Sequence, residues 1–357
     1  MRAYTSVLPD FARSEQWATH PALTVSRAAL LGLIGLFGVF SITGLSIPWR
    51  IQLGIYLIGM VALNLPHGGY EHFNNLRSRL RGFQLRYLVL YLVGIAGFAG
   101  LFFTTPVIGL GLALAVAITK GGYGGLHVLD VTSGTEHLET RLQRALAVLV
   151  RGGAIMLVPM VFWPGTFLAF GAYMVAIFDQ SAVTGLSHSF DLVRTVAGAG
   201  YGAALIAHLG LGWYRWDGGV NWPIDAVETV LLAGYFAVVP VVVAVGLYFP
   251  FWYSARQVAR MAAVESDPED SDNEPDLLAA PNTRLVALKA WSVLIGGAIA
   301  TFGLLAGLWF LAPNPLGGAG PLAGAVAFWS VFISIIALPH IVIGSWFDRD
   351  CGIWYVP

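Results

Sequence analysis

Ten stretches of mostly apolar residues, each close to the ~20 that a bilayer core asks of a helix, divide this chain and leave little room for any other fold. They lie at roughly 28–47, 51–70, 85–104, 107–127, 145–163, 165–181, 195–213, 228–252, 286–312 and 321–346. Two pairs are separated only by Thr104-Thr105-Pro106 and by Trp163-Pro164-Gly165, each too short for anything but a hairpin. Charged residues make up 11% of the 357, against about 25% in a soluble domain, so lipid is the main solvent. The residues before the first span carry no cleavage signature, which reads it as a retained span. The expected fold is an all-α, polytopic transmembrane helical bundle of about ten spans. It forms one integral-membrane domain over residues 1–357, multi-pass in the cell membrane.

Charge placement orients the bundle. Numbering the loops alternately puts fifteen of the 19 Lys and Arg on the N-terminal side and two, Arg50 and Arg215, on the other. The positive-inside rule then makes both termini cytoplasmic. Lys120 and Arg151 fall inside spans and should point into the bundle, because a bare charge in lipid is costly. A net charge of −1 offers nothing to a nucleic acid. A single cysteine, Cys351, excludes an internal disulfide framework. Residues 264–280, with seven acids and no base between Glu265 and Asp276, read as a disordered cytoplasmic loop, a solvating linker or a docking strip for a basic partner.

Even-numbered helices run toward one side, so the ends of spans two, four, eight and ten share a membrane level. These ends carry Asn64-Leu-Pro-His-Gly-Gly-Tyr-Glu-His72, Gly124-Gly-Leu-His-Val-Leu-Asp130, Tyr248-Phe-Pro-Phe-Trp-Tyr-Ser-Ala-Arg256, and Pro339-His340 through Trp346 and Asp348. His188 and Asp191, after span six, are expected at the same level. His208, late in span seven, is expected near the opposite face as an interhelical hydrogen-bonding residue, and His137 at the surface. A single histidine at a helix end is ordinarily satisfied by the interface. Several at one level, on helices broken by proline or glycine, point instead to a shared site. Neutral imidazoles suit iron, copper or zinc, and Glu71 and Asp130 are placed to orient them by accepting the second ring N–H. No acid–base dyad, nucleophile or phosphate-cradling loop stands out, which argues against hydrolase and nucleotide-driven chemistry. A site near one face argues against a transporter.

These motifs, in this order, resemble the Brp/Blh family of integral-membrane β-carotene 15,15′-dioxygenases associated with microbial rhodopsins. The resemblance rests on Pro66-His-Gly68 with Glu71-His72, His127 with Asp130, Arg151-Gly-Gly153 with Pro159 and Pro164, Tyr248 through Arg256, and Pro339-His340 with Trp346 and Asp348. The acidic loop suits a haloarchaeal member. The resemblance implies cleavage of the central double bond of β-carotene by O2, at a non-haem Fe(2+), to give two molecules of retinal. It implies His67 and His127 as iron ligands. The family's third motif runs approximately Tyr-Phe-x-x-Trp-His-Ser-x-Arg-His, so here Tyr253 and Gln257 occupy its two histidine positions. Residues four apart share a helix face, but a phenol and an amide match iron poorly. His72, His188 and His340 are the candidate substitutes. Tyr123, Phe162, Trp163, Tyr248, Phe249, Trp252 and Trp346 are expected to line a tunnel open to the lipid, or else to anchor helices at the interface. Two readings stand: a dioxygenase with altered ligation, or an impaired relative that binds carotenoid or retinal and supports rhodopsin biogenesis.

Overall fold

A computed structural model of the protein describes residues 20–63, 81–257, 259–260 and 283–347. Among these the chain is helical, with no strand. The helices are α1 (Pro21–Thr43), α2 (Trp49–Leu57), α3 (Arg81–Thr104), α4 (Pro106–Thr132), α5 (Arg141–Phe162) and α6 (Pro164–Ala176). Then follow α7 (Ala182–Tyr214), α8 (Asn221–Val238), α9 (Val241–Tyr248), α10 (Thr283–Leu311) and α11 (Pro321–Phe347). Proline opens α1, α4, α6 and α11, where its missing N–H has no intrahelical partner to lose. Five of the described helices are long and apolar enough to cross a membrane: α1, α4, α5, α7 and the Pro321–Pro339 part of α11. The acidic segment 264–280 lies outside the described residues.

Neighbouring helices are staked by close contacts that fix their directions. Where α4 and α5 cross, a Cβ on Gly122 would lie 2.1 Å from the Val148 carbonyl and one on Gly152 1.8 Å from that of Ile118. Only glycine lets two backbones approach so closely. Helix α7 runs antiparallel to α5, with Tyr201 against Gly153 and Gly198 against Val161. Tyr235 donates to the Ala244 carbonyl at 2.9 Å, folding α9 back along α8. The bundle thus has a turn end, marked by Thr105, and a polar end, where Asn221 and Arg215 reach Glu136 and Glu139 in the α4–α5 loop.

These directions revise two of the expected spans. The run 228–252 is not one helix: the chain reverses at Val239-Pro240, where Val239 is extended (ψ 132°). Proline removes the N–H a continuing helix would need, and the residue before it avoids the α region. The run 165–181 does not traverse the bundle. Its helix α6 has 13 residues, about 20 Å of rise, and both its flanks stay at the turn end. There Phe178 packs on Phe102 and Phe103, and Asn314 donates to the Ile177 carbonyl.

Two apolar cores result. One gathers α2, α3, α6 and α11 around Phe102, Val326 and Phe332; the other gathers α1, α5, α7, α8 and α9 around Tyr235, Phe236 and Val243. Phe249 packs against both, so the end of α9 lies on the seam between them.

Candidate active site

On that seam two helices change pitch. Helix α2 continues as a π-helical turn over Ile58–Leu63, and α9 as another over Phe249–Ser254. Such turns recur at functional sites because the extra residue re-aims the side chains that follow. The helices touch backbone to backbone: a Cβ on Gly59 would lie 1.9 Å from the Gly246 carbonyl. His67, Glu71 and His72 lie outside the described residues, four and more positions beyond the first of these turns.

The second turn lays Tyr253 and Gln257 against α4. Lys120, Gly124 and His127 follow at i, i+4 and i+7 and share one face of α4. A Cβ on Gly124 would stand 2.9 Å from Tyr253 Cε2 and 3.0 Å from Gln257 Nε2. Gln257 Nε2 donates to the Gly124 carbonyl at 3.2 Å, and its Oε1 accepts from Arg260 Nε at 3.0 Å. Tyr253 is 6% exposed, within reach of Tyr248 and Phe249. The Lys120 ammonium sits 5.7 Å from its ring centroid. His127 stacks on Tyr123 and turns Nδ1 toward Asp130 Oδ2 at 3.7 Å. That carboxylate is held by Arg144 and Thr135, each at 2.6 Å. A histidine oriented through one ring nitrogen by a fixed carboxylate is how proteins prepare an imidazole for a metal.

Beside this junction lies a buried ionic assembly. Glu228 accepts from Arg27 (2.8 Å), from Arg256 at both oxygens (2.8 and 2.7 Å) and from Arg151 (3.2 Å). Asp225, one turn earlier, accepts from Arg151 at 2.6 Å, from His137 Nε2 at 2.9 Å and from His208 Nε2 at 3.2 Å. Three guanidinium groups against two carboxylates leave one positive charge if both imidazoles are neutral. The Arg256 guanidinium also lies 4.3 Å over the Trp252 ring. Arg256 is thereby locked to α8, and with it the segment carrying Tyr253 and Gln257.

The sequence expectations fare unevenly. Tyr248 and Trp252, each 2% exposed, and the half-buried Phe249 surround the junction. Tyr123 flanks His127 but is 46% exposed. Phe162 and Trp163 do not join them: they close α5 at the turn end, about 25 Å from the level of His127 by helical rise. His188 and Asp191 are exposed in the first turns of α7, also at the turn end, because α7 runs opposite to its expected direction. His188 therefore cannot complete a site with His127. His208 makes its interhelical bond, but at the polar end, and His137 is buried rather than on the surface. Lys120 and Arg151 both turn inward as expected. His340 and Trp346 belong to α11, and their side chains lie outside the described set.

None of the described residues expected to line a tunnel borders the cavity found beside α2. An apolar cavity of about 590 Å³ opens between α2, α10 and α11, lined by Leu57, Phe302, Leu305, Trp309, Phe328 and Trp329. The sequence reading missed Asp225 and Glu228. A signal was present: Arg151 in the middle of a span needs a buried acid, and these two stand three apart at the edge of an apolar run.

Iron meets a partial fit. His127 with Asp130 suits it. Gln257 does not, since both ends of its amide are spent on Gly124 and Arg260. No group of three His, Cys, Asp or Glu gathers for a metal among the described residues.

Comparison with known proteins supplies the family. Two strains of Halobacterium salinarum each hold a relative named probable beta-carotene 15,15'-dioxygenase Brp, 57% identical over 338 residues, which is 94% of this chain and 94% of the relative. A second protein of that organism, probable beta-carotene 15,15'-dioxygenase Blh, is 31% identical over 355 residues, 98% of each. No solved structure matches the chain. The family model described as Beta-carotene 15,15'-dioxygenase matches residues 58–348, a span that holds both π-helical turns, the Gly124 contact and every member of the ionic assembly but Arg27, and the chain belongs to that family.

Proposed function

We propose that this protein cleaves the central double bond of β-carotene with O2 to give two molecules of retinal, at a non-haem ferrous iron held by His67 and His127. The observation that carries the site is the bond from Gln257 to the Gly124 carbonyl. It joins, across 133 positions of sequence, the motif segments that bear His127 and Tyr253. The chemistry iron supplies when bound is activation of O2 next to the polyene. The chain's own residues do the rest. Asp130 orients His127. Tyr248, Phe249 and Trp252 present a dry aromatic wall that suits a conjugated chain and keeps water from reactive oxygen species. The cavity beside α2 receives a polyene arm directly from the lipid, and the product serves a retinal-binding partner such as a microbial rhodopsin.

The same proposal sets the protein in the cell membrane with ten crossings and cytoplasmic termini, α6 lying at the outer face. With α7 reversed, Arg215 joins the cytoplasmic side and Arg194 leaves it. The split stays at fifteen to two, as the positive-inside rule requires.

A second reading, a carotenoid or retinal carrier that does not cut, is favoured by the committed Gln257 amide. One preparation decides between them. Purified from a carotene-producing host, the enzyme contains iron and yields retinal by chromatography, and His127→Ala loses both. Bound carotenoid with neither iron nor retinal would establish the carrier.

A further inference from the structure

Cleavage gives no task to Lys120. The chain uses arginine for 17 of its 19 basic residues; its lysines are Lys120 and Lys289. Lys120 is the fifteenth of the 27 residues of α4, about 18 Å from the Thr132 end by helical rise, deep in an apolar helix. Among the described residues it has no ion pair or hydrogen bond, and its ammonium rests over the Tyr253 ring at 5.7 Å. Arginine holds a cation over a ring at least as well. What lysine adds is a nucleophilic primary amine, the group that condenses with carbonyl compounds. That amine stands on the His127 face of α4, half-buried, in a site whose proposed product is an aldehyde.

We infer that Lys120 is a covalent docking site for the retinal product, holding it as an imine. The Lys120 ammonium first gives a proton to water, which frees the Nζ lone pair to add to the aldehyde carbon; a second proton then passes from nitrogen to oxygen, and water leaves as the C=N bond forms. Amine plus aldehyde gives imine plus water, with no change of oxidation state and no further reagent. Hydrolysis reverses the step and releases retinal. Imine formation would keep a greasy aldehyde from drifting into lipid before a partner arrives. The inference rests on retinal being the product.

The test uses the purified full chain in detergent, all-trans-retinal and sodium cyanoborohydride, which fixes imines as amines, followed by peptide mass mapping. The expected result is one retinyl group on the peptide containing Lys120, lost almost completely in Lys120→Arg and kept in Lys289→Arg. Because K120R preserves a cation at the Tyr253 ring, loss of the adduct at an unchanged melting temperature separates imine chemistry from packing. If K120R fails to fold, the peptide map of the unaltered protein decides alone. No adduct, or one confined to Lys289 or the N-terminus, overturns the inference. Added retinal bypasses cleavage, so the two ideas fail separately. Cleavage without a Lys120 adduct sinks the imine, and an adduct without cleavage sinks the enzyme.

Discussion

Gly124 sets how closely the end of α9 approaches the His127 face. Adding one methyl group there puts it 2.9 Å from the Tyr253 ring, so the aromatic turn must retreat by several tenths of an ångström. Since small misplacements at a reacting centre are costly, Gly124→Ala should lower retinal yield about tenfold to a hundredfold, measured as product per purified chain. Glu228 governs stability instead. It is fully buried beneath three guanidinium groups, and removing one partner of such an assembly strands the others in low dielectric. Glu228→Gln should cost about 3–5 kcal/mol, read by denaturant unfolding in detergent micelles. Arg27→Gln should cost less, because that side chain is 22% exposed and water can compensate. Arg151 announced this assembly from the sequence, since a mid-span cation demands a partner. Asp225 and Glu228 did not: they lie at the edge of an apolar run, where an acid looks like loop.

The elements that matter most are the paired π-helical turns, and neither was legible. A π turn arises from one extra residue in a helix that composition reads as continuous, and only packing reveals whether it is kept. The seam at Gly59 and Gly246 gives a direct check. Gly59→Ala would drive a methyl group into the Gly246 carbonyl, and overpacking of this kind costs about 1–3 kcal/mol, so the melting temperature should fall. Gly54→Ala, with no atom within 4 Å of its Cβ, should leave it unchanged. Equal behaviour of the two variants would show that α2 and α9 do not meet at this crossing. Pro240 could have been found in advance, since a proline inside a 25-residue apolar run breaks the helix. An unbroken hydropathy run outweighed it.

At the scale of the whole molecule, the routing of α6 through α9 separates this structure from the simplest reading of the sequence. In a Cys351→Ser background, a cysteine at position 188 should react with an impermeant maleimide from outside the cell, and one at 217 only after permeabilisation. The unrevised order of spans gives the opposite pattern, so labelling decides the topology. The sequence by itself determined that the chain folds as a helical bundle with helices long and apolar enough to cross a membrane. Burial of apolar length and the cost of moving charge across lipid act on composition, whatever the packing. Charge counting could not see the exchange of Arg194 for Arg215, because exchanging one arginine for another leaves the count unchanged. Tertiary structure alone decided which helices reverse, which end His188 occupies, and that Tyr253 and Gln257 close on Gly124. Those outcomes depend on which backbones can approach within contact distance, and that is settled between helices far apart in the chain.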